Sequence, residues 1–218
     1  MKSSVLIKTF SPPPFDKMEI LRYSGTRVET PEISALLKEC LEEVKDALSY
    51  KVCYAHFPLI LNEEEIDLSF TRTGSKHLRK NLEHCKSYVL FAATVGSQLD
   101  RLITKYTKIS PSKALMFQAI GTERIESLCD EFCKYIEKEY GYTAPRFSAG
   151  YGDLPLDIQK EIFNVLDPGR KIGVTLNQSM LMSPSKSVTA IVGITDCKKD
   201  AKEHSCKNCS KTNCSFRR

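Results

Sequence analysis

Apolar residues recur every three to four positions in several stretches of the chain, the spacing of amphipathic helices. These stretches cover about 31–48, 78–85, 99–106, 112–140 and 156–166. The first has a strong start signal, because Thr30 can cap the helix and Pro31 suits its first turn. The last ends at Asp167-Pro168-Gly169. The pattern therefore predicts a helix in each stretch, with the longest over about 112–140.

Alternating apolar and polar residues, or short continuous apolar runs, indicate strands. They lie at 19–23, around Val52 and Tyr54, and at 66–70, 88–93, 174–176 and 187–194. The first fifteen residues end in three prolines and are expected to form an extended arm. Strands and helices mix without a regular βαβ alternation. The expected fold class is α+β, a single domain with a mixed or antiparallel sheet and flanking helices.

Composition is that of a soluble globular protein, with 41% hydrophobic and 27% charged residues among 218. No apolar run approaches the roughly 18–20 residues of a membrane span. The N-terminus does not resemble a secretory signal, so we expect a cytoplasmic protein without a membrane partner.

Positive charge is concentrated at the end of the chain. Residues 197–218 contain seven basic and two acidic residues, which accounts for the whole formal net charge of +5. The rest of the chain is balanced and gives no electrostatic case for a nucleic-acid partner. We therefore expect one domain over 1–196 and a basic, cysteine-rich tail over 197–218.

A loop at 145–155, with the sequence PRFSAGYGDLP, carries the main candidate binding chemistry. Arg146 offers a planar fork of donors that suits a carboxylate. Gly150 and Gly152 allow close backbone approach to a ligand and leave the ring of Tyr151 beside it. The loop therefore fits a small zwitterion, although a surface arginine and a plain turn with a packed tyrosine would also fit these residues.

The tail holds a second candidate site. Cys197, Cys206, Cys209 and Cys214 have the spacing C-x8-C-x2-C-x4-C, with His204 nearby. The C-x2-C step is common in zinc and iron–sulfur sites. A metal could supply the ordering energy that a tail poor in apolar residues lacks. We expect zinc or an iron–sulfur cluster at these four cysteines, with a disordered tail of reduced thiols as the alternative.

Two motifs follow each other in the C-terminal part of the chain. Arg146 precedes Gly150-Tyr151, and after the next predicted helix comes LNQSMLMSPSKSV at 176–188. An Arg-x-x-x-Gly-Tyr loop, a helix and then a Leu-(x)-x-Ser-x-x-Met-x-Pro-x-x-Ser-Val segment occur in this order in a known family. The chain thus resembles the activation domain of cobalamin-dependent methionine synthase, in its free-standing bacterial form. The resemblance is strongest between Ala119 and Ile194.

The resemblance implies an α+β domain that binds S-adenosylmethionine and caps a corrinoid. It implies that Arg146 pairs with the carboxylate of the methionine moiety and that Glu126 approaches its amino group. Glu123 or Asp130 could hold the role of Glu126. It further implies that Tyr151 and the backbone of Gly150, Gly152 and Asp153 bind the adenine and face the corrin. A further acidic ligand residue near the start of the domain is implied but not located by the motifs.

The chain is too short for a whole synthase and has no Asp-x-His-x-x-Gly cobalt-ligand motif. We therefore expect a reactivation partner of a separate cobalamin-binding methionine synthase polypeptide. It would support reductive methylation of inactive cob(II)alamin, with electrons from a protein such as flavodoxin or ferredoxin. It would be an accessory subunit of a methyltransferase rather than a complete enzyme. The alternatives are a reactivase for another corrinoid methyltransferase and a non-catalytic S-adenosylmethionine-binding module.

Overall fold

The computed structural model describes residues 4–197. The helices of this part are α1 (Lys17–Tyr23), α2 (Pro31–Val44), α3 (Lys76–Leu82), α4 (Gln98–Ile109), α5 (Pro111–Tyr140), α6 (Ile158–Leu166) and α7 (Pro168–Ile172). Its strands are β1 (Leu6–Thr9), β2 (Lys51–Pro58), β3 (Ile60–Leu61), β4 (Ile66–Asp67), β5 (Arg72–Thr73), β6 (Ser87–Thr94), β7 (Tyr142–Thr143), β8 (Thr175–Leu176), β9 (Met182–Ser183) and β10 (Ser187–Thr195).

An antiparallel sheet with the strand order β1-β2-β6-β10-β7 forms the centre of the fold. Every residue of β6 is buried, because helices cover both faces of this strand. Val89 and Phe91 belong to a core formed with α2, α4 and α5, whereas Tyr88 and Leu90 belong to a second core formed with α3 and α6. This two-sided burial explains the continuous apolar run at 88–93. The predicted α+β class with an antiparallel sheet is confirmed.

Most predicted helices and the longer strands are confirmed, including α2, α4, α5, α6, β2, β6 and β10. The hydroxyl of Thr30 accepts a hydrogen bond from the backbone N–H of Ile33, as expected of an N-cap. The segment 66–70 contributes only the two residues of β4. At the end of α6, Asp167 adopts a left-handed conformation with φ of 47°, and Pro168 then begins the short helix α7.

The prediction of a strand at 19–23 is wrong, because these residues belong to α1. The side chain of Asp16 accepts from the backbone N–H of Glu19 at 3.1 Å and caps the helix. Arg22 pairs with Glu19 one turn away at 2.6 Å. The prediction of an extended arm holds only in part, because β1 pairs with β2 and leaves residues 10–15 between β1 and α1.

Helices of membrane-spanning length and apolarity are absent from residues 4–197.

Candidate functional site

The loop that contains Arg146 is fixed to the sheet by its backbone. Phe147 exchanges two backbone hydrogen bonds with Ile191 of β10, at 2.9 and 2.8 Å, and the N–H of Ala144 donates to the carbonyl of Gly193. On the other side, the side-chain amide of Asn81 donates to the carbonyl of Pro145 at 3.1 Å. These bonds hold the backbone on both sides of Arg146, so its position is set by regular structure.

Arg146 lies between two carboxylates of α5. Its Nη2 donates to Glu126 at 2.7 Å and its Nη1 donates to Asp130 at 2.5 Å. Glu126 and Asp130 are four residues apart and therefore share one face of the helix. Burial lowers the pKa of Arg146, but the neighbouring acidic groups, Cys129, Asp130 and Glu126, raise it by more, so that the guanidinium is held charged. The side chain remains 26% exposed and accessible to a ligand.

An open cavity of about 450 Å³ lies beside these residues. One wall is the segment from Pro13 to Met18, and the other is the face of α5 that carries Ser127, Asp130, Glu131 and Lys134. Asp130 therefore belongs both to the cavity and to the ion pairs of Arg146. Arg146 and Glu126 do not line the cavity, so Asp130 is the residue that joins it to the ion pairs.

Asp16 is an acidic residue of this cavity that the motifs did not identify. A signal for it was present, since Asp16 and Glu19 have the spacing of a capping box that starts a helix. Glu123, an alternative to Glu126 in the sequence analysis, lies beneath the cavity instead of lining it. Its side chain is only 2% exposed and forms an ion pair with Arg124, which is fully buried. Of the acidic candidates on α5, Glu126 and Asp130 therefore contact Arg146.

The Gly150–Asp153 segment forms a tight turn. Gly150 and Gly152 have φ of 83° and 58°, a conformation that favours glycine. The N–H of Gly150 donates to the carbonyl of Leu154, and the N–H of Leu154 donates to the carbonyl of Tyr151. The ring of Tyr151 is 71% exposed and meets Phe147 edge to face, with 5.9 Å between centroids. The turn thus presents an aromatic ring to solvent.

The carboxylate of Asp153 holds this turn against α3. It accepts from the Ser75 hydroxyl and from the backbone N–H groups of Lys76 and His77, at 2.8 and 3.2 Å for the latter two. These bonds, with that from Ser75 the strongest, lower the pKa of Asp153 to about 2. Its side chain therefore anchors the loop, and a ligand contact of its backbone stays a prediction.

The metal site expected in the tail falls largely outside the part of the chain that the structure describes. Cys197 is exposed and its backbone N–H donates to the hydroxyl of Thr195. Cys206, Cys209 and Cys214 lie beyond the described residues. Within residues 4–197, no three His, Cys, Asp or Glu side chains cluster in a way that could hold a metal ion.

Comparison with known proteins identifies a family and a similar fold. Residues 75–216 match the family model described as "Vitamin B12 dependent methionine synthase, activation domain". The fold is similar to that of a solved structure described as "Crystal Structure of the MetH Reactivation Domain bound to AdoHcy", with a TM-score of 0.64. The two chains are 15% identical, over 88% of this chain and 78% of that one. No curated protein sequence matches this chain. The α5 wall and Arg146 lie inside the matched residues, whereas the arm lies upstream of them.

Proposed function

Since this chain belongs to the family of vitamin B12 dependent methionine synthase activation domains, we propose that it binds S-adenosylmethionine and reactivates a cobalamin-dependent methionine synthase on a separate polypeptide. The observation that carries the proposal is the position of Arg146. It stands beside an acidic cavity, held between Glu126 and Asp130.

The charges of the site complement those of this ligand. The residues that line the cavity, together with Arg146 and Glu126, carry one excess negative charge, from the acidic Asp16, Glu126, Asp130 and Glu131 and the basic Lys17, Lys134 and Arg146. S-adenosylmethionine carries a carboxylate, an ammonium group and a sulfonium, and so has one excess positive charge. Opposite charges at short distance in a partly buried site attract more strongly than they would in water.

Each end of the amino-acid moiety has a partner in this cluster. The guanidinium of Arg146 has more donor N–H groups than its two ion pairs use, and its planar fork matches a carboxylate. Glu126 is within reach of the same guanidinium and would accept from the ligand's ammonium group. Asp130, which lines the cavity, would face the sulfonium side of the ligand. Asp16 is the candidate for the further acidic ligand residue of the family.

The loop that follows would orient the rest of the ligand. Gly150 and Gly152 bring backbone close to the surface, where it would contact adenine, and the exposed ring of Tyr151 would face a flat corrin on the partner. S-adenosylmethionine supplies an electrophilic methyl group, and the protein's share is to bind and orient it. Reduction of the partner's cobalamin would draw on a separate electron donor such as flavodoxin or ferredoxin.

Titration calorimetry with S-adenosylmethionine tests the ligand. The intact protein should bind, and Arg146→Ala should weaken binding by at least about tenfold, the loss expected for one charge-assisted hydrogen-bonded pair. Arg170→Ala is the matched control, because Arg170 is 90% exposed and pairs with Asp167 away from the cavity. An intact protein that does not bind S-adenosylmethionine would contradict the proposal.

A reactivation assay tests the partner. Inactive cobalamin-dependent methionine synthase that lacks its own activation domain should recover methionine formation when this protein, S-adenosylmethionine and a reductant are added together. Recovery by a different corrinoid methyltransferase instead would identify the first alternative. Binding without reactivation of any corrinoid protein would identify the second, a binding module.

A further inference from the structure

The part of the arm between β1 and α1 contains three prolines and cannot be held by regular backbone pairing. Pro12, Pro13 and Pro14 have no N–H group to donate, so this stretch can form neither a helix nor a paired strand of its own. Its carbonyl groups still need donors. Pro13 is nevertheless buried, and Pro13 and Pro14 line the cavity. Something outside the arm must fix its position.

Arg124 of α5 supplies those donors. Its side chain is 0% exposed, and it donates from Nη1 to the carbonyl of Pro13 at 2.5 Å and from Nη2 to the carbonyl of Pro14 at 2.7 Å. The guanidinium also stacks over the ring of Phe15, 4.2 Å from its centroid. One side chain thus contacts three successive residues of the arm.

Glu123, the residue before Arg124, also contacts this segment. Its carboxylate accepts from Nε and Nη2 of Arg124 and from the hydroxyl of Ser127, the last at 2.7 Å. It also accepts from the backbone N–H of Asp16 at 3.2 Å. Glu123 and Arg124 therefore bind the amide of Asp16 and the carbonyls of two prolines. These two adjacent residues of α5 lie more than 100 positions further along the chain.

Neither member of this pair lines the cavity, although four of the arm residues held by it do. Burying an ion pair costs desolvation that apolar residues of similar volume would not incur. The pair is therefore poorly explained by stability alone. Its geometry is explained by the need to seat an arm that lacks donors of its own.

We propose that Glu123 and Arg124 are a positioning pair that holds the segment Pro13–Asp16 as one wall of the S-adenosylmethionine cavity and sets the carboxylate of Asp16 toward the ligand. This inference rests on the proposed function. Its mechanism is indirect, because the pair acts on the ligand only through the arm.

The test removes the pair without leaving a buried charge. In Glu123→Met/Arg124→Met, the space is filled by side chains of similar length, and the arm loses its donors and acceptor. Calorimetry should show S-adenosylmethionine affinity lower by at least about tenfold, because two or more hydrogen bonds that seat the wall are lost. Hydrogen exchange of the Asp16 amide, measured by NMR, should become at least about tenfold faster.

Val44→Ala is the control for stability. Val44 is the last residue of α2, is fully buried and does not line the cavity, so its substitution lowers stability without removing a hydrogen bond to the segment Pro13–Asp16. Its ligand affinity and Asp16 exchange should stay within about twofold of the intact protein under conditions where both are folded. An equal loss of affinity in Val44→Ala would overturn the positioning role.

Unchanged affinity in the double variant would likewise overturn it, while binding by the intact protein would leave the proposed function standing. An intact protein that fails to bind overturns the proposed function and the ligand role of the pair together.

If the double variant does not fold, Arg124→Lys provides the test. Lysine keeps the charge beside Glu123 but lacks the fork that reaches both proline carbonyls. It should then show intermediate affinity and intermediate Asp16 exchange, and full retention of both would contradict the proposal.

Discussion

The carboxylate of Asp153 accepts a hydrogen bond from the backbone N–H of Lys76, 77 positions earlier in the chain, at 2.8 Å. Lys76 is the first residue of α3, so a side chain of the Gly-Tyr-Gly turn satisfies donors at the start of a distant helix. The turn that presents Tyr151 is thereby tied to the second hydrophobic core, where Leu78 of α3 is fully buried.

This tie makes the stability of the fold depend on acid pH. The pKa of Asp153 is lowered in the folded protein to about 2 from an ordinary value of 3.8, first by the Ser75 hydroxyl and then by two backbone N–H groups. A lowered folded-state pKa means that the carboxylate stabilises the fold fully above about pH 4 and that this contribution is lost as pH falls toward 2. Urea unfolding of Asp153→Asn should therefore change less between these pH values than that of the intact protein.

Asp157→Asn is the control for this measurement. Asp157, the N-cap residue of α6, makes no side-chain capping bond, so Asp157→Asn removes no such bond and should keep most of the acid dependence that Asp153→Asn loses. Equal acid dependence in the intact protein and in Asp153→Asn would contradict the anchoring role of Asp153.

Local patterns were sufficient for the parts of the fold where burial has a simple period. The apolar spacing of α5 and the apolar run of β6 each determine one element, and both are confirmed. Local patterns gave a wrong prediction at α1, where the few apolar residues of 19–23 have the spacing of a strand. There the side chain of Asp16 decides the structure by capping the first turn.

The site was predictable only in part for a different reason. Arg146 and Glu126 follow from a family motif, and their contact at 2.7 Å is consistent with a shared role. The wall formed by the arm depends on the contacts of Glu123 and Arg124 with residues more than 100 positions away. A periodic pattern carries no information about such pairings, because each partner by itself looks like an ordinary charged helix residue.

The acidic residues around Arg146 should discriminate between ligands by charge. S-adenosylmethionine has a sulfonium where S-adenosylhomocysteine has a neutral thioether. At about 4 Å, one such charge beside a carboxylate interacts by about 1 kcal/mol even with the dielectric of bulk water, which corresponds to a preference of about fivefold. Asp130→Asn should reduce the ratio of the two affinities, measured by calorimetry at low ionic strength.

Glu131→Gln is the matched control for Asp130→Asn. Glu131 also lines the cavity, but Lys134 at 2.7 Å balances its charge one to one, whereas Asp130 shares the single positive charge of Arg146 with Glu126. The ratio of affinities should change less in this variant. A ratio that is the same in the intact protein and in Asp130→Asn would show that Asp130 does not face the sulfonium.

Metal bound by the tail should be separable from ligand binding. We expect the full chain to contain zinc or iron when purified without oxygen, and Cys206→Ser/Cys209→Ser to lose it, because the C-x2-C pair supplies two thiolates. Arg146 and the cavity lie elsewhere in the chain, so S-adenosylmethionine affinity should stay within about twofold. Elemental analysis and calorimetry on the same samples test both statements, and an intact protein without metal would refute the first.

At Gly121 of α5, helix propensity favours a larger residue such as alanine, whereas the packing around this position disfavours one. In an exposed helix, replacing glycine with alanine would stabilise by about 1 kcal/mol. Here a Cβ at position 121 would lie 2.8 Å from Cε and 2.9 Å from Cγ of Lys186, whose side chain crosses the helix and donates to Thr122. Lys186 is half-buried, and this burial lowers the pKa of its ammonium group although Asp100 opposes the shift.

Gly121→Ala should therefore destabilise the protein by about 1–3 kcal/mol, the usual cost of overpacking, because Lys186 must leave its position. Chemical denaturation measures this change. Gly121→Ala/Lys186→Ala removes the two contacts with Lys186 and leaves only Leu99 Cδ1, 3.0 Å from the added Cβ. The alanine should therefore cost less stability in the Lys186→Ala background than in the intact protein. If Gly121→Ala stabilised the intact protein, the contact with Lys186 would be too loose to explain why a glycine stands in the middle of this helix.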